Sequence, residues 1–577
     1  MKRCAIPLLC AILLALLLAG PAEAHANLVR SVPAAGAALA TAPRELVLEF
    51  SEELDPGFSK VQLLDSKRQV VNVGPGAIDL ANPRVLRLTL QELAKDSYTA
   101  LWRVRSAADG HITEGNIPFG VGVAPSSASL IPPPDAPDPA TVPPPPLDAG
   151  LRWLNLLLAA VALGGVPFGL LVWRPAVRAA LRNRTAVDAA DAVSTRLIRQ
   201  RILIGGALFL LTNLLFLLTQ AAAAADVPLA QAIGAPVVQL LSGRSGLLWL
   251  ARVACMLLIM AIAWRLPLAG RGAAWPWWLA LALVGGVILT FSLNAHGAAE
   301  EQGAALAVAL DWLHVAAMVT WLGGLLPLVS AIRAARRAPE QALPLAILIP
   351  RFSRVVLPCV VTLALTGLYS YLLHIGQLDL LTATTYGRAL LIKVGLFGLL
   401  FLLGALNLGI LSRRLRASGN QLARPFGRSV RAELALGALL LLAVGAMTSV
   451  APSKTAWDAH ERLGLMQEAK EGDVDLVLRV APAQIGDNEF AVDVTDKRPG
   501  AQSAPSKVLL RFDMVGMNMG ILQTDTQTTD KQRYTSRGNF TSMGGRWNVE
   551  VVLRRAGFDD VRHTFSLDIV RSAAVAQ

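Results

Sequence analysis

Side chains able to hold a metal ion fall into three groups along this chain. His25, Glu52, Asp109 and His111 lie near its start; His296, Asp311, His314, Met318 and His374 lie in or beside apolar stretches; Met514, Met517, Met519 and Met543 lie near its end. The first group offers nitrogen and oxygen donors, the last only thioethers, and the middle one all three. Donor softness decides which ion each would prefer. Asp109-Gly110-His111 follows the run YTALWRV, and a carboxylate and an imidazole two residues apart face the same way on an extended segment. By the same alternation Met517 and Met519 share a face. Asp311 and His314 occupy DWLHVAAMVTWLGG inside an apolar run over about residues 303–332, which reads as a membrane-spanning helix. An ionised Asp near a bilayer centre costs roughly 2.5–3.5 kcal/mol on insertion scales, so such a group faces partners, water or a substrate. Helical spacing aligns Asp311, His314 and Met318 along one stripe. Each group also has a plainer reading: a turn for the DGH triplet, interfacial side chains for His296 and His374, core filling for the methionines.

These residues must be positioned by a largely apolar chain. Of 577 residues 54% are hydrophobic and 16% charged, a balance that excludes an ordinary soluble enzyme and implies a polytopic membrane protein with soluble parts. Eight apolar spans are expected, at about 151–173, 202–225, 246–266, 274–294, 303–332, 353–375, 388–412 and 431–450. The net charge of +12 does not indicate nucleic acid, because the arginines gather in short connections between spans. The connection after the first span carries Arg174, Arg178, Arg182, Arg184, Arg196, Arg199 and Arg201, and later ones carry Arg265 and Arg271, residues 333–354 and residues 413–431; the alternate connections are poor in basic residues. The positive-inside rule then places both soluble ends outside the cytoplasm. On that orientation His314 lies roughly 16 Å inward, near the midplane. His296, His374 and Met447 fall near the outer ends of their spans, making a path from a mouth at His296 and His374 to Asp311, His314 and Met318. Lys393 and Arg252 are expected to snorkel outward as structural residues, and Met256 and Met260 to pack.

Ahead of this block, Lys2 and Arg3, an apolar stretch over residues 5–18 and Ala22-Glu23-Ala24 form a secretory signal pattern over residues 1–24. Cleavage would make His25 the first residue, whose free α-amine and imidazole can chelate one metal ion through two nitrogens. The runs ELVLEFSEEL, KVQLLDS, RVLRLTL, YTALWRVRS and NIPFGVG over residues 25–123 predict a β-sandwich or barrel. Residues 124–149 are Pro-rich and read as an extended linker; residues 150–451 hold the membrane block. Residues 452–577 carry a second β pattern, DVDLVLRVAP through HTFSLDIV, expected to form a small external sandwich. Of the cysteines, Cys4 and Cys10 precede the cleavage point, and Cys255 and Cys359 lie in spans as small buried residues, so no disulfide framework is expected.

The segments HANLVRSVPAAGA, LEFSEEL and WRVRSAADGHITEGNIPFGV resemble the periplasmic copper-binding CopC family. That resemblance implies a Cu(II) site at His25 (amine and ring), Asp109 and His111 with Glu52 beside it; nitrogen and oxygen donors in a tetragonal set suit Cu(II). No methionine lies between residues 25 and 255, a departure from members with a Met-rich Cu(I) site. SLNAHG, HVAAMVTWLGGLLPL, RFSRVVLPCVVTLALTGLYSYL and TTYGRALLIKVGLF resemble the CopD family of inner-membrane copper-resistance proteins, implying copper movement across the bacterial inner membrane. The last domain resembles YtkA-like domains, and its methionines, Met514, Met517, Met519 and Met543, form a candidate Cu(I) site. The expectation is a non-enzymatic, multi-pass copper importer with both soluble domains periplasmic, whose partners are copper ions, the lipid bilayer and periplasmic copper carriers. Ligands that soften along the route imply a change from Cu(II) to Cu(I). No GxxxxGK[ST] loop occurs, so movement would be downhill or gradient-coupled. Two alternatives from other classes are a membrane electron-transfer protein with haem on His296, His314 and His374, and a copper-dependent oxidase centred on His25.

Overall fold

The structure, a computed structural model, describes residues 26–569 apart from 27, 35–36, 68, 72–75, 108–109, 111, 124–139, 182–183, 266–274, 296–302, 338–344, 376, 412–422, 458–464, 482, 484–485, 498–504, 516–520, 529–532, 543–544 and 556–557. The first domain alternates apolar and polar residues along short strands: β1 Leu28–Val32, β2 Ala37–Leu39, β3 Glu45–Phe50, β4 Lys60–Leu64, β5 Ala77–Ile78, β6 Val85–Thr89, β7 Asp96–Arg105 and β8 Ile112–Val121. They form two sheets, ordered β1-β3-β6-β5 and β2-β8-β7-β4, with β2 parallel to β8. The period of two turns Leu46, Leu48 and Phe50 of β3 inward, and likewise Tyr98, Ala100, Trp102 and Val104 of β7. Phe50 meets Trp102 edge-on at 5.1 Å, which ties one sheet to the other. The expected β-sandwich is therefore present. Each large apolar side chain fully buried between the sheets contributes about 1.5–3 kcal/mol.

Eight helices among the described residues are long and apolar enough to cross a membrane. They are α1 Pro146–Ala180, α2 Arg184–Ala225, α3 Arg244–Arg265, α4 Trp275–Ser292, α5 Ala304–Arg337, α6 Leu345–His374, α7 Thr385–Leu406 and α8 Ala423–Met447. The count agrees with the hydropathy reading, but three starts differ, and α8 begins at Ala423, eight residues before the expected start. α2 begins well before residue 202, because RTAVDAADAVSTRLIRQR is too polar for a hydropathy window yet rich in helix-forming Ala and Arg. α6 begins at Leu345 and runs through Pro350 and Pro358. α5 lies at the centre of the block and packs against α1, α4, α6 and α8. Its approach to α1 is backbone to backbone: a Cβ on Gly323 would lie 2.3 Å from the Ala160 carbonyl oxygen, and one on Gly164 would lie 2.4 Å from Gly323 Cα. α7 packs on α8 and leaves Leu391, Ile392, Val394, Leu399, Phe401 and Leu402 exposed, as lipid contact requires.

The last domain carries β9 Leu465–Glu471, β10 Val474–Ala481, β11 Gly486–Asp496, β12 Lys507–Met514, β13 Leu522–Asp525, β14 Gln527–Thr528, β15 Arg533–Thr541, β16 Gly545–Arg554 and β17 Val561–Ile569. These make sheets ordered β14-β15-β11-β10-β9 and β13-β12-β16-β17. Phe490 and Phe512 approach to 4.8 Å and Phe512 stacks on Phe540 at 4.8 Å, joining the two sheets through one aromatic core.

Candidate metal centre

α5 carries Asp311 and His314 in its apolar stretch. His314 Nδ1 lies 2.7 Å from the Thr366 hydroxyl of α6. That hydroxyl also lies 2.6 Å from the Thr362 carbonyl, to which it donates its one hydrogen. It must therefore accept from His314 Nδ1–H, which fixes the tautomer and leaves the Nε2 lone pair for a ligand. Asp311 stands one turn away on the same helix. The two form one polar pair on α5, and Lys393 of α7 is half-buried.

A second set of polar groups continues it sideways. Arg252 of α3 is 5% exposed; its Nε donates to Thr290 Oγ1 at 2.9 Å, Nη2 to the Thr290 carbonyl at 3.0 Å and Nη1 to Asn213 Oδ1 at 3.3 Å. Its guanidinium also lies 3.9 Å from the centre of the Phe291 ring. Asn213 Nδ2 and Thr212 Oγ1 of α2 both donate to Asn155 Oδ1 of α1, at 2.8 and 2.9 Å. At 1.5 Å per residue, Asp311, His314, Thr366, Lys393 and Arg252 all sit about 10–15 Å from the arginine-poor ends of their helices. They form a polar layer at one depth. Snorkelling was the wrong expectation for Arg252: a buried guanidinium that donates to groups on two neighbouring helices, α2 and α4, need not reach water. The signal available in sequence was Asn155, Asn213 and Thr290 interrupting apolar spans, since polar groups at that depth require partners.

The other expected ligands divide. Met318 does not join the cluster; it is 7% exposed within the apolar core of the bundle, where a thioether fills space. His374 closes α6, eight residues beyond Thr366 and about 12 Å outward along the helix. Cys255 and Cys359 are free thiols. His25, Asp109, His111 and His296 lie outside the described residues, as do the signal segment and most of the Pro-rich stretch. Of the residues next to or among the expected first-domain ligands the structure describes Ala26, which is fully buried, and Glu52, which is 3% exposed. Between Asp109 and His111, Gly110 adopts φ +78°, and its N–H closes a turn onto the Ser106 carbonyl at 3.1 Å. A Cβ there would be strained by φ and would lie 2.6 Å from Arg105 Nη2. In the last domain Met517, Met519 and Met543 are outside the described residues, whereas Met514 is 9% exposed in the sandwich core, opposite Trp547 and over Gly545. Nearby on β11, burial raises the Glu489 carboxyl to about 7 against the pull of Arg537 and Arg533. Among the described residues no three of His, Cys, Asp and Glu come close enough to hold a metal ion together.

Soluble β domains ahead of and behind eight membrane-length helices, with charged groups turned inward rather than lining a solvent cleft, define a class of multi-pass membrane proteins with a buried polar site. Residues 28–122 match the CopC domain family and residues 346–447 the family described as Copper resistance protein D. Thr366 and Lys393 lie inside the second match; Arg252, Asp311 and His314 lie before it. The chain belongs to the CopC/CopD copper-resistance proteins. It is 27% identical over 555 residues to the copper transport protein CutJ of Bacillus subtilis, covering 94% of this chain and 95% of that one. It is 34% identical over 99 residues to protein YobA of Escherichia coli K12, covering 17% of this chain and 79% of that protein. Among solved structures it is similar to CopC from Methylosinus trichosporium OB3b, with 36% identity, 17% of this chain and 93% of that one covered, and a TM-score of 0.16.

Proposed function

We propose that this protein takes up copper outside the inner membrane through its first β domain and conducts it inward through the helical block, contributing to copper homeostasis and resistance. The reading is carried by one observation: an imidazole with its tautomer set by Thr366, beside a carboxylate, turned into the interior of a membrane bundle. A transition-metal ion needs such neutral nitrogen and anionic oxygen donors, and a purely structural helix does not need them at that depth. Likeness to CutJ along nearly the whole chain supports transport as the task. The alternation of arginine-rich and arginine-poor connections supports both β domains facing the periplasm and import as the direction.

Copper is the cargo here and the protein acts as a carrier. After processing at Ala24, the His25 amine and ring, Asp109 and His111, with buried Glu52 beside them, would hold Cu(II) at the entrance; the turn at Gly110 supports the placement of two of these donors on one loop. His374 near the outer end and the Asp311–His314 pair deeper would carry it on. The methionines of the last domain would serve Cu(I), delivered by periplasmic carriers or by the first domain.

The decisive experiment is copper uptake into proteoliposomes of known orientation, comparing the intact chain with His314→Ala. Uptake should fall at least about tenfold in the variant, the size of effect expected when a metal-binding group is lost. Equal uptake would reject the path, and copper-stimulated export would reverse its direction. In parallel, blocking the mature amine or introducing His111→Ala should weaken Cu(II) binding; unchanged affinity would remove the first-domain site.

A further inference from the structure

A cavity of about 570 Å³ runs from the depth of the polar layer toward the arginine-rich ends of the helices, between α1, α5 and α6. Its volume falls within the range of roughly 300–1,000 Å³ usual for small-molecule sites. The walls are apolar over most of their length: Leu171 of α1, Leu313 and Ala317 of α5 and Pro358 of α6. Leu171 is 42% exposed and Pro358 is also exposed, so the cleft opens sideways, where acyl chains lie, and not toward water.

One end differs in chemistry. Arg351 and Arg354 line it, and no acidic side chain is among the lining residues. Arg351 Nη1 donates to the Ile347 carbonyl at 3.3 Å and Arg354 Nε to the Pro350 carbonyl at 3.2 Å. Each guanidinium has five N–H donors, so most remain for an acceptor outside the helix. Arg354 lies twenty residues before His374 on α6, about 30 Å along the axis, which is one hydrocarbon thickness. The two cations therefore sit at the headgroup level of the arginine-rich face while the groove runs from them toward the midplane.

We propose that this cleft is a binding site for one anionic phospholipid of the arginine-rich leaflet, with its phosphate on Arg351 and Arg354 and an acyl chain along the groove. Charge selects the occupant. A zwitterionic lipid brings its own cation to compete with the arginines, whereas an anionic one supplies net charge to two guanidiniums that face no carboxylate in the cleft. The apolar wall excludes a free anion as the natural ligand, since it would leave the groove without an occupant. Leu313 and Thr362 of the cleft each lie within one turn of His314 and Thr366, so the lipid braces α5 against α6 directly below the bond that orients the imidazole.

The test is native mass spectrometry on the full chain purified in nonionic detergent, titrated with phosphatidylglycerol, phosphatidylcholine or inorganic phosphate. One phosphatidylglycerol per chain should be retained in preference to phosphatidylcholine. Arg351→Gln with Arg354→Gln should weaken it about thirtyfold, the loss of two surface cations each acting on one headgroup. Leu171→Trp, which narrows the exposed lip and leaves both arginines in place, should also lower retention. Equal retention of the two lipids, or unchanged phosphatidylglycerol binding in the double variant, overturns the site. Displacement of the lipid by inorganic phosphate at matching concentration would assign the arginines to a free anion and overturn it equally.

Discussion

His314 illustrates how a single hydroxyl can decide what an imidazole does. Thr366 donates its hydrogen to the Thr362 carbonyl and accepts from His314, so Nε2 carries the lone pair without any charged partner having to set it. Thr366→Val keeps the shape of the side chain but removes that acceptor, freeing the ring to take the other tautomer. Copper affinity at the membrane site, measured by competition with a Cu(I) chelator in detergent, should fall about 10–100-fold, while Thr366→Ser restores it. The same loss in the valine and serine variants would show that the hydroxyl does not set the tautomer. Asp311 and His314 were legible in sequence because ionisable groups interrupt an apolar run. Thr366 was not, because a threonine in a membrane helix usually satisfies itself on its own backbone, as Thr219 does on the Phe216 carbonyl of α2.

At the scale of elements, α5 can be central only because it touches α1 without side chains between them. Gly164 and Gly323 meet where any Cβ would collide with backbone atoms, which cannot move as a flexible side chain can. Gly323→Ala should therefore force the two helices apart, at a cost of about 1–3 kcal/mol for overpacking, and lower the melting midpoint of the purified protein. Gly398→Ala on α7, where nothing lies within 4 Å of the added carbon, should leave it unchanged. Equal midpoints for the two variants would mean that the α1–α5 contact does not limit stability. The eight spans were readable from hydropathy, and the strands from alternation, because both patterns are local. Which face each helix turns inward was not readable: α4 and α7 are apolar nearly all round, so only packing against neighbours buries Ser292 of α4 and Leu400 of α7.

For the whole molecule, the arrangement of a CopC-like sandwich, a Pro-rich connection and a helical block in one chain would have a kinetic consequence for the proposed uptake. A tethered donor raises the local concentration of loaded sites at the membrane, an effect that matters only while free copper is scarce. Removing residues 25–123 behind an intact signal segment should reduce uptake severalfold at limiting copper and leave the rate at saturating copper unchanged. An equal reduction at every concentration would mean that the first domain does something other than feed the membrane block.

Some properties of this protein follow from order along the chain alone. Length and hydropathy dictate eight membrane-length helices and alternation two β domains, while arginine spacing and the donor types of His25, Asp109, His111 and His314 motivate the proposed orientation and copper sites, because each depends only on which residues are near one another in sequence. Tertiary structure alone decided that Arg252 turns inward, that Met318 packs in the core, and that His314 finds its partner on α6. Those outcomes depend on which polar groups from distant segments arrive at the same depth, and in a medium without water the partner within reach determines where a buried charge points.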